Sequence, residues 1–186
     1  MKLRSVLTGV RLCAELGSLG ELEVAGLEYD SRKAAKDFLF FAFPGAKVDG
    51  RKFAADALAR GACAVVSAEP RPEDFAGPWI RVEHGRQALA TAARTFYGKP
   101  DEAVHFTGIT GTNGKSTTAN LTESVLRSAG HITGLIGTIE YRMAGQVRPA
   151  VNTTPESLDV MRFAAELRDH RGSHLIAEVS SHALAL

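Results

Sequence analysis

Residues 103–129 constrain this chain more than any other stretch. Ala103-Val104-His105-Phe106 is a short, mostly apolar run that reads as a strand, and Ala119 to Ala129 reads as a helix. Between them lies Gly108-Ile109-Thr110-Gly111-Thr112-Asn113-Gly114-Lys115-Ser116-Thr117-Thr118. Strand, glycine loop, Lys-Ser and helix, in that order, build a cradle for phosphate. The glycines let backbone N–H groups converge on phosphate oxygens, and the helix N-terminus adds the positive end of its dipole. Lys115 can then reach β- and γ-phosphates, and the Ser116 hydroxyl can hold Mg²⁺. The strict pattern G-x-x-x-x-G-K-[ST] asks for glycine at 109, where this chain has Ile109; its glycines stand at 108, 111 and 114. A solvated glycine-rich turn is the plainer alternative, and the flanking strand and helix weigh against it.

The rest of the chain repeats strand and helix patterns. Phe38 to Phe43, Cys63 to Ala68 and Trp79 to Val82 read as strands; Phe53 to Arg60, closed by Gly61, and Gln87 to Phe96 read as helices. Further on, Ile132 to Ile136, Ile139 to Met143 and His174 to Val179 read as strands, and Pro155 to Leu167 as a helix. Thr154 stands at the N-cap position of that last helix, with Pro155 first and Glu156 in the first turn. This alternation predicts an α/β fold with parallel sheet and right-handed crossovers. The charged, Pro- and Gly-bearing stretch Gly98 to Glu102 is the expected boundary between a domain at 1–100 and a second at 101–186. The apolar end at Ser181-His182-Ala183-Leu184-Ala185-Leu186 follows a strand that should feed another crossover, so the second domain is expected to be truncated.

Charge and cysteine narrow the function classes. A formal net charge of +1 over 186 residues gives no bulk attraction to nucleic acid or to an anionic membrane. Lys2 and Arg4 could open a signal peptide, but Arg11 interrupts the apolar stretch; Leu3, Val6, Leu7 and Val10 recur at helical spacing instead. Cys13 and Cys63 form no C-x-x-C pair or disulfide framework and are expected to be buried structural thiols in a reducing compartment. A cytoplasmic enzyme or binding protein follows by elimination.

Four further segments carry chemistry-bearing side chains. Tyr29-Asp30-Ser31-Arg32 can bind a ligand or form a plain turn. Pro44-Gly45-Ala46-Lys47-Val48-Asp49-Gly50 has two glycines that permit close backbone approach to a ligand or to the chain itself. Asn152-Thr153-Thr154-Pro155 joins hydrogen-bonding side chains to a helix start, suited to capping and to anion or sugar binding. Glu178-Val179-Ser180-Ser181-His182 lies at the carboxyl end of a strand, where ligands bind in open parallel sheets. From there Glu178 can face the phosphate loop and hold a metal. His170 and His174 are separated by Gly172-Ser173, which breaks the helix a metal pair needs; His84, His105 and His131 read as scattered structural or surface residues.

Taken together, Asp30-Ser31-Arg32, Pro44-Gly45 with Val48-Asp49-Gly50, Thr110-Gly111-Thr112-Asn113-Gly114-Lys115-Ser116, Asn152-Thr153-Thr154-Pro155 and Glu178-Val179-Ser180-Ser181-His182 resemble the ATP-dependent Mur ligases of peptidoglycan synthesis. The Glu-Val-Ser-Ser-His run favours the branch that adds the third peptide residue to UDP-N-acetylmuramoyl-L-alanyl-D-glutamate. The wider superfamily shares the loop, so a folylpolyglutamate-type or terminal D-alanyl-D-alanine-adding ligase stays open, as does a non-catalytic nucleotide-binding module.

The resemblance implies a small N-terminal UDP-binding α/β domain followed by the start of a P-loop ATPase domain, working in the cytoplasm as a monomer without nucleic acid or membrane insertion. It implies ATP at Gly111, Thr112, Asn113, Gly114, Lys115, Ser116 and Thr117, and Mg²⁺ at Ser116 and Glu178. Lys115 and Glu178 would be the catalytic residues. Ser31 would lie near the uridine, with Ala46, Lys47 and Val48 adding backbone contacts; Asn152, Thr153, Thr154 and Ser180 would meet the muramoyl-peptide. Ser116 stands where threonine is commoner in the family, and the hydroxyl is retained. The implied reaction passes through an acyl phosphate of the D-glutamate side chain, which the amine of diaminopimelate or lysine attacks. The family's carbamylated lysine, further metal ligands and third domain have no counterpart in these residues, so this polypeptide is expected to be inactive alone.

Overall fold

The computed structural model describes residues 1–45 and 49–184. They form two compact units, Met1–Phe96 and Tyr97–Leu186.

In the first unit, β1 (Gly26–Glu28), β2 (Phe38–Phe41), β3 (Ala64–Ser67) and β4 (Trp79–Arg81) pair in that order, all parallel. A parallel strand covered on both faces needs apolar side chains on both, and β2 and β3 read Phe-Leu-Phe-Phe and Ala-Val-Val-Ser. Phe40 and Val65 turn to one face, where Ala54 and Ala57 of helix α2 (Ala54–Ala59) cover them. Helices α1 (Leu3–Val6) and α3 (Gly85–Phe96) lie beside each other and contribute Leu3, Val6 and Leu89 to the buried core. The N-terminal helix stops earlier than the spacing of Leu7 and Val10 predicts, because Gly9 turns the chain at φ +81°. Gly61 ends the α2 segment as expected, in a left-handed conformation at φ +102°.

The second unit is a five-stranded sheet among the described residues, ordered β5-β9-β6-β7-β8. The strands β5 (His105–Ile109), β6 (Thr133–Ile136) and β9 (His174–Glu178) run parallel, with β9 between the other two. Strands β7 (Glu140–Met143) and β8 (Gln146–Pro149) extend the sheet antiparallel, a departure from the purely parallel expectation. Short connections are the cause: Gly137-Thr138-Ile139 turns β6 into β7, and Ala144 and Gly145, both at positive φ, form a two-residue hairpin between paired Met143 and Gln146. Helices α4 (Lys115–Ser128) and α5 (Ser157–Asp169) cover opposite faces. Alternation along the strands shows it: Leu135 and Ile176 pack with Ala119 of α4, whereas their neighbours Ile136 and Leu175 pack with Ala164 and Leu167 of α5. Among the described residues β5 is an edge strand, with Phe106 exposed on it and Leu121 and Val125 exposed on α4.

Two boundaries and the cysteines differ from expectation. Residues 103–104 follow the 3-10 turn Pro100–Glu102 and donate their N–H groups back to Pro100 O, so β5 starts at His105 and runs straight into the loop. Helix α4 starts at Lys115, four residues early, because Gly114 adopts the left-handed conformation that opens it. The cysteines are not buried: Cys13 is exposed in an irregular segment and Cys63 is half-buried, its thiol pushed above its ordinary pKa by burial. No helix among the described residues is long and apolar enough to cross a membrane.

Candidate functional site

Three parallel strands end on one edge of the second sheet, and the order β5-β9-β6 decides what meets there. The glycine loop follows β5, and Gly137-Thr138 follows β6. Between them β9 ends on Glu178, in register with Ile109 on one side; its preceding residue, Ala177, is in register with Ile136 on the other. A single carboxylate is thereby delivered to both loops.

The loop itself is built as its sequence requires. Gly111 sits at φ +146° and Gly114 at φ +79°, conformations that side chains with a Cβ avoid. Gly114 is the N-cap of α4 and brings no side chain to cap it. The first-turn N–H groups of a helix have no partner within the helix, so here they face outward beside the dipole end. The Lys115 ammonium donates to Gly111 O at 2.8 Å, folding back over the loop.

Glu178 is 2% exposed. Its Oε2 accepts from Ser116 Oγ at 2.9 Å and from Thr138 Oγ1 at 3.0 Å, and its Oε1 accepts from the Thr138 backbone N–H at 3.1 Å. All three donors are neutral, and among the described residues no cation pairs with this carboxylate. A buried anion without a counter-charge is costly, and a bound cation is the usual remedy. The donor set suits a hard one, since a hydroxyl and a carboxylate are oxygen ligands. Adjacent corners of an octahedral Mg²⁺ shell stand about 2.9 Å apart, given metal–oxygen distances of about 2.0–2.1 Å; Ser116 Oγ and Glu178 Oε2 are separated by 2.9 Å. Both residues open into a cleft of about 240 Å³ that Asn120, Ile139 and Glu140 also line.

Around this centre the supports are polar and long-range. Asn120 Nδ2 donates to Ser116 O at 2.8 Å, and Asn120 Oδ1 accepts from Arg142. Arg142 also donates to the buried Glu123 at 3.1 Å, and Thr133 Oγ1 donates to the same carboxylate at 3.0 Å. This ties α4 to β6 and β7. Thr154 does not cap α5, whose N-cap is Glu156. Its hydroxyl donates to Glu178 O and accepts from the Ser180 N–H, each at 3.0 Å. The Thr-Pro pattern satisfied a local capping rule, but the end of β9 offers the stronger partner. Ser180 in turn accepts from the Ala183 N–H at the start of α6 (Ser181–Leu184). Asn152 joins the group through its backbone, which exchanges hydrogen bonds with Tyr141 Oη. Thr153 is half-buried beside it.

The first unit keeps its own polar end. Ser31 is 5% exposed and donates to Asp56 at 3.1 Å. Asp30 accepts from the Arg32 backbone N–H and clasps its guanidinium, and Asp49 does the same to Arg51. The arginine hydrogen bonds hold both carboxyls below the ordinary aspartate pKa. Gly50 is needed because a Cβ there would stand 2.7 Å from Phe43 O, so this loop's close approach is to the chain itself. Ala46, Lys47 and Val48 lie outside the described residues.

Two groupings were not legible in the sequence. Thr138 gave no motif signal. His105 and His131, which read as scattered, are brought to His174, with ring centroids 5.2 and 4.5 Å from it. Burial, then the neighbouring histidines, hold His174 below the ordinary histidine pKa.

Comparison with known proteins gives a consistent picture. Residues 109–186 match the Mur ligase middle domain, and residues 23–97 match the Mur ligase family catalytic domain. A UDP-N-acetylmuramoyl-L-alanyl-D-glutamate--2,6-diaminopimelate ligase from Solibacter usitatus is 60% identical across the whole chain, which covers 38% of that protein. The enzyme of the same name from Geobacillus kaustophilus is 44% identical over 89% of the chain and 33% of the relative. The chain therefore spans about a third of the length of the curated relatives it matches. A solved structure of a ligase of that name superposes with TM-score 0.74 at 22% identity, over the whole chain and 37% of the solved one. A Thermotoga maritima MurF ligase solved in complex with ADP gives TM-score 0.55 at 20% identity, over 86% of this chain and 32% of its own. At those identities the likeness is one of fold.

Proposed function

The chain belongs to the Mur ligase family, and from that premise we propose that its second unit holds ATP while its first holds the UDP end of a muramoyl-peptide. Both act as parts of an ATP-dependent acid–amino-acid ligase of cytoplasmic peptidoglycan precursor synthesis. The names of the relatives favour diaminopimelate as the residue added. The observation that carries the reading is the buried Glu178 carboxylate, 2.9 Å from the hydroxyl that follows Lys115.

In the proposed reaction an oxygen of the D-glutamate side-chain carboxylate attacks the γ-phosphorus of ATP. The bond to the bridging oxygen breaks, and ADP departs with the electron pair. The amine of the incoming amino acid then attacks the acyl phosphate, and loss of inorganic phosphate and a proton leaves the amide. The difficulty is bringing one anion onto another. The outward N–H groups of the loop and of α4 bind and orient the phosphates, and Lys115 exchanges Gly111 O for a phosphate oxygen. Ser116 and Glu178 would hold Mg²⁺, which when bound withdraws charge from the phosphate oxygens. Thr154 and Ser180, locked to the end of β9, are the proposed contacts for the peptide portion, with Asn152 and Thr153 beside them. Ser31 and residues 46–48 are the proposed uridine contacts.

Calorimetric titration of ADP with Mg²⁺ into the 186-residue chain tests the nucleotide site. Lys115→Ala should weaken binding roughly 30- to 100-fold, as expected for loss of a charge-assisted contact worth about 2–3 kcal/mol. Glu178→Gln should erase the Mg²⁺ dependence and spare Mg²⁺-free binding. A wild-type chain that ignores ADP, or a Glu178→Gln variant that keeps its Mg²⁺ dependence, would overturn the reading. The same residues alone should release no ADP in the presence of both carboxylate and amine substrates.

A further inference from the structure

We propose that Thr138 is a positioning residue that grips the Glu178 carboxylate at both oxygens and keeps it aimed at Ser116. The inference rests on the ATP–Mg²⁺ reading above and deepens it.

Glu178 receives three hydrogen bonds, and two of them come from Thr138: the backbone N–H to Oε1 and the hydroxyl to Oε2. The third comes from Ser116, whose hydroxyl has one proton. If Ser116 Oγ turns a lone pair to a cation shared with Glu178, its proton must point away from that cation, and its bond to the carboxylate is given up. Thr138 then supplies the remaining side-chain restraint on Glu178. Its two bonds fix both the position and the twist of the carboxylate plane, which one bond cannot do. A metal ligand held this way loses little freedom on binding, and removal of such supporting partners typically lowers metal affinity tenfold or more.

The backbone is shaped for this grip. Ile136 is in register with Ala177, so the turn after β6 arrives beside Glu178. A Cβ at Gly137 would stand 3.0 Å from Glu178 Oε1, so glycine there lets the turn close on the carboxylate. Threonine adds a stiff χ1, because its branched Cβ restricts the hydroxyl to few directions. Thr138 itself is exposed, so replacing it does not open the core.

The test compares ADP affinity with MgCl₂ and with EDTA for wild type, Thr138→Val and Thr138→Ser. Valine keeps the shape and the backbone bond but loses the hydroxyl. Thr138→Val should lose about tenfold in ADP affinity with Mg²⁺ and nothing in EDTA, while Thr138→Ser stays within about threefold of wild type. A Thr138→Val chain with unchanged Mg²⁺ dependence overturns the proposal, as does an equal loss in both buffers, which would mark a structural role. If wild type binds no ADP, the ATP reading fails and takes this inference with it. If wild type and Glu178→Gln behave as described while Thr138→Val does not, only the role of Thr138 fails.

Discussion

In the first unit two aspartates beyond strand ends pair with near neighbours: Asp30 with Arg32, and Asp49 with Arg51, each two residues apart. In the second, Glu178 takes its donors from 62 and 40 residues away, and Ser180 is tied to Thr154 across 26. The first arrangement is made by a loop on its own. The second exists only when β5, β9 and β6 have closed into a sheet. Chemistry in the second unit is therefore coupled to its folding in a way that the Asp-Arg turns of the first are not.

The most damaging way to probe this contrast is through the cores. Phe40→Ala should cost the first unit about 3–5 kcal/mol, because a fully buried ring is lost beside Ala54, Ala57 and Val65. The single tryptophan, Trp79, stacked edge-on against Phe75, reports that unit's unfolding by fluorescence. Glu123→Ala attacks the long-range side. It removes the carboxylate shared by Arg142, which keeps Glu140 and Asn120, and by the hydroxyl of Thr133, so a loss of roughly 2 kcal/mol is expected from the charge-assisted hydrogen bonds. Denaturation followed by circular dichroism measures it, and ADP affinity should fall with it if site and fold are coupled.

Thr154→Val is subtler: two hydrogen bonds at the end of β9 disappear, worth about 1–2 kcal/mol together. Faster hydrogen exchange at the Ser180 amide should reveal it. Acid sharpens the contrast further. Because His174 is held below its ordinary value of 6.5, the unfolded chain binds its proton first as pH falls. Its contribution is full above that value and erodes as pH drops through it toward the lower folded pKa. The second unit should melt lower at about pH 5.5 than at about pH 7.5, and His174→Asn should flatten that slope. Arg32→Ala should do least, leaving the melting temperature essentially unchanged, since its side chain is 82% exposed and solvent screens the pair. Depression of the Asp30 carboxyl should shrink with it by NMR titration, the backbone N–H of residue 32 and Lys33 remaining; that small stability is present above the ordinary aspartate range and lost as pH falls through and below it.

What could be read in the sequence follows the same division. The glycine loop between β5 and α4 was legible because its glycines, Lys115 and Ser116 are contiguous, and Glu178 at a strand end because an apolar run ends on it. Thr138 was silent, since its role depends on the register of β6 against β9. Strand β1 was missed because Gly26-Leu27-Glu28 is three residues long and buries a glutamate. Strand β8, Gln-Val-Arg-Pro, is mostly exposed and looks like a loop. The histidine group comes from three separate segments. Thr154 was misread for the opposite reason: the local capping pattern was clear, and a partner 24 residues away outweighed it.

The outer side of β5 has a practical consequence. Among the described residues a row of backbone donors and acceptors there has no strand partner, next to the exposed Phe106, Leu121 and Val125, and such a margin is a template onto which a further strand, of this chain or of another molecule, can zip. Sample concentration thus becomes an experimental variable in its own right. Light scattering of the 186-residue chain should rise with concentration, and Phe106→Lys should reduce that rise.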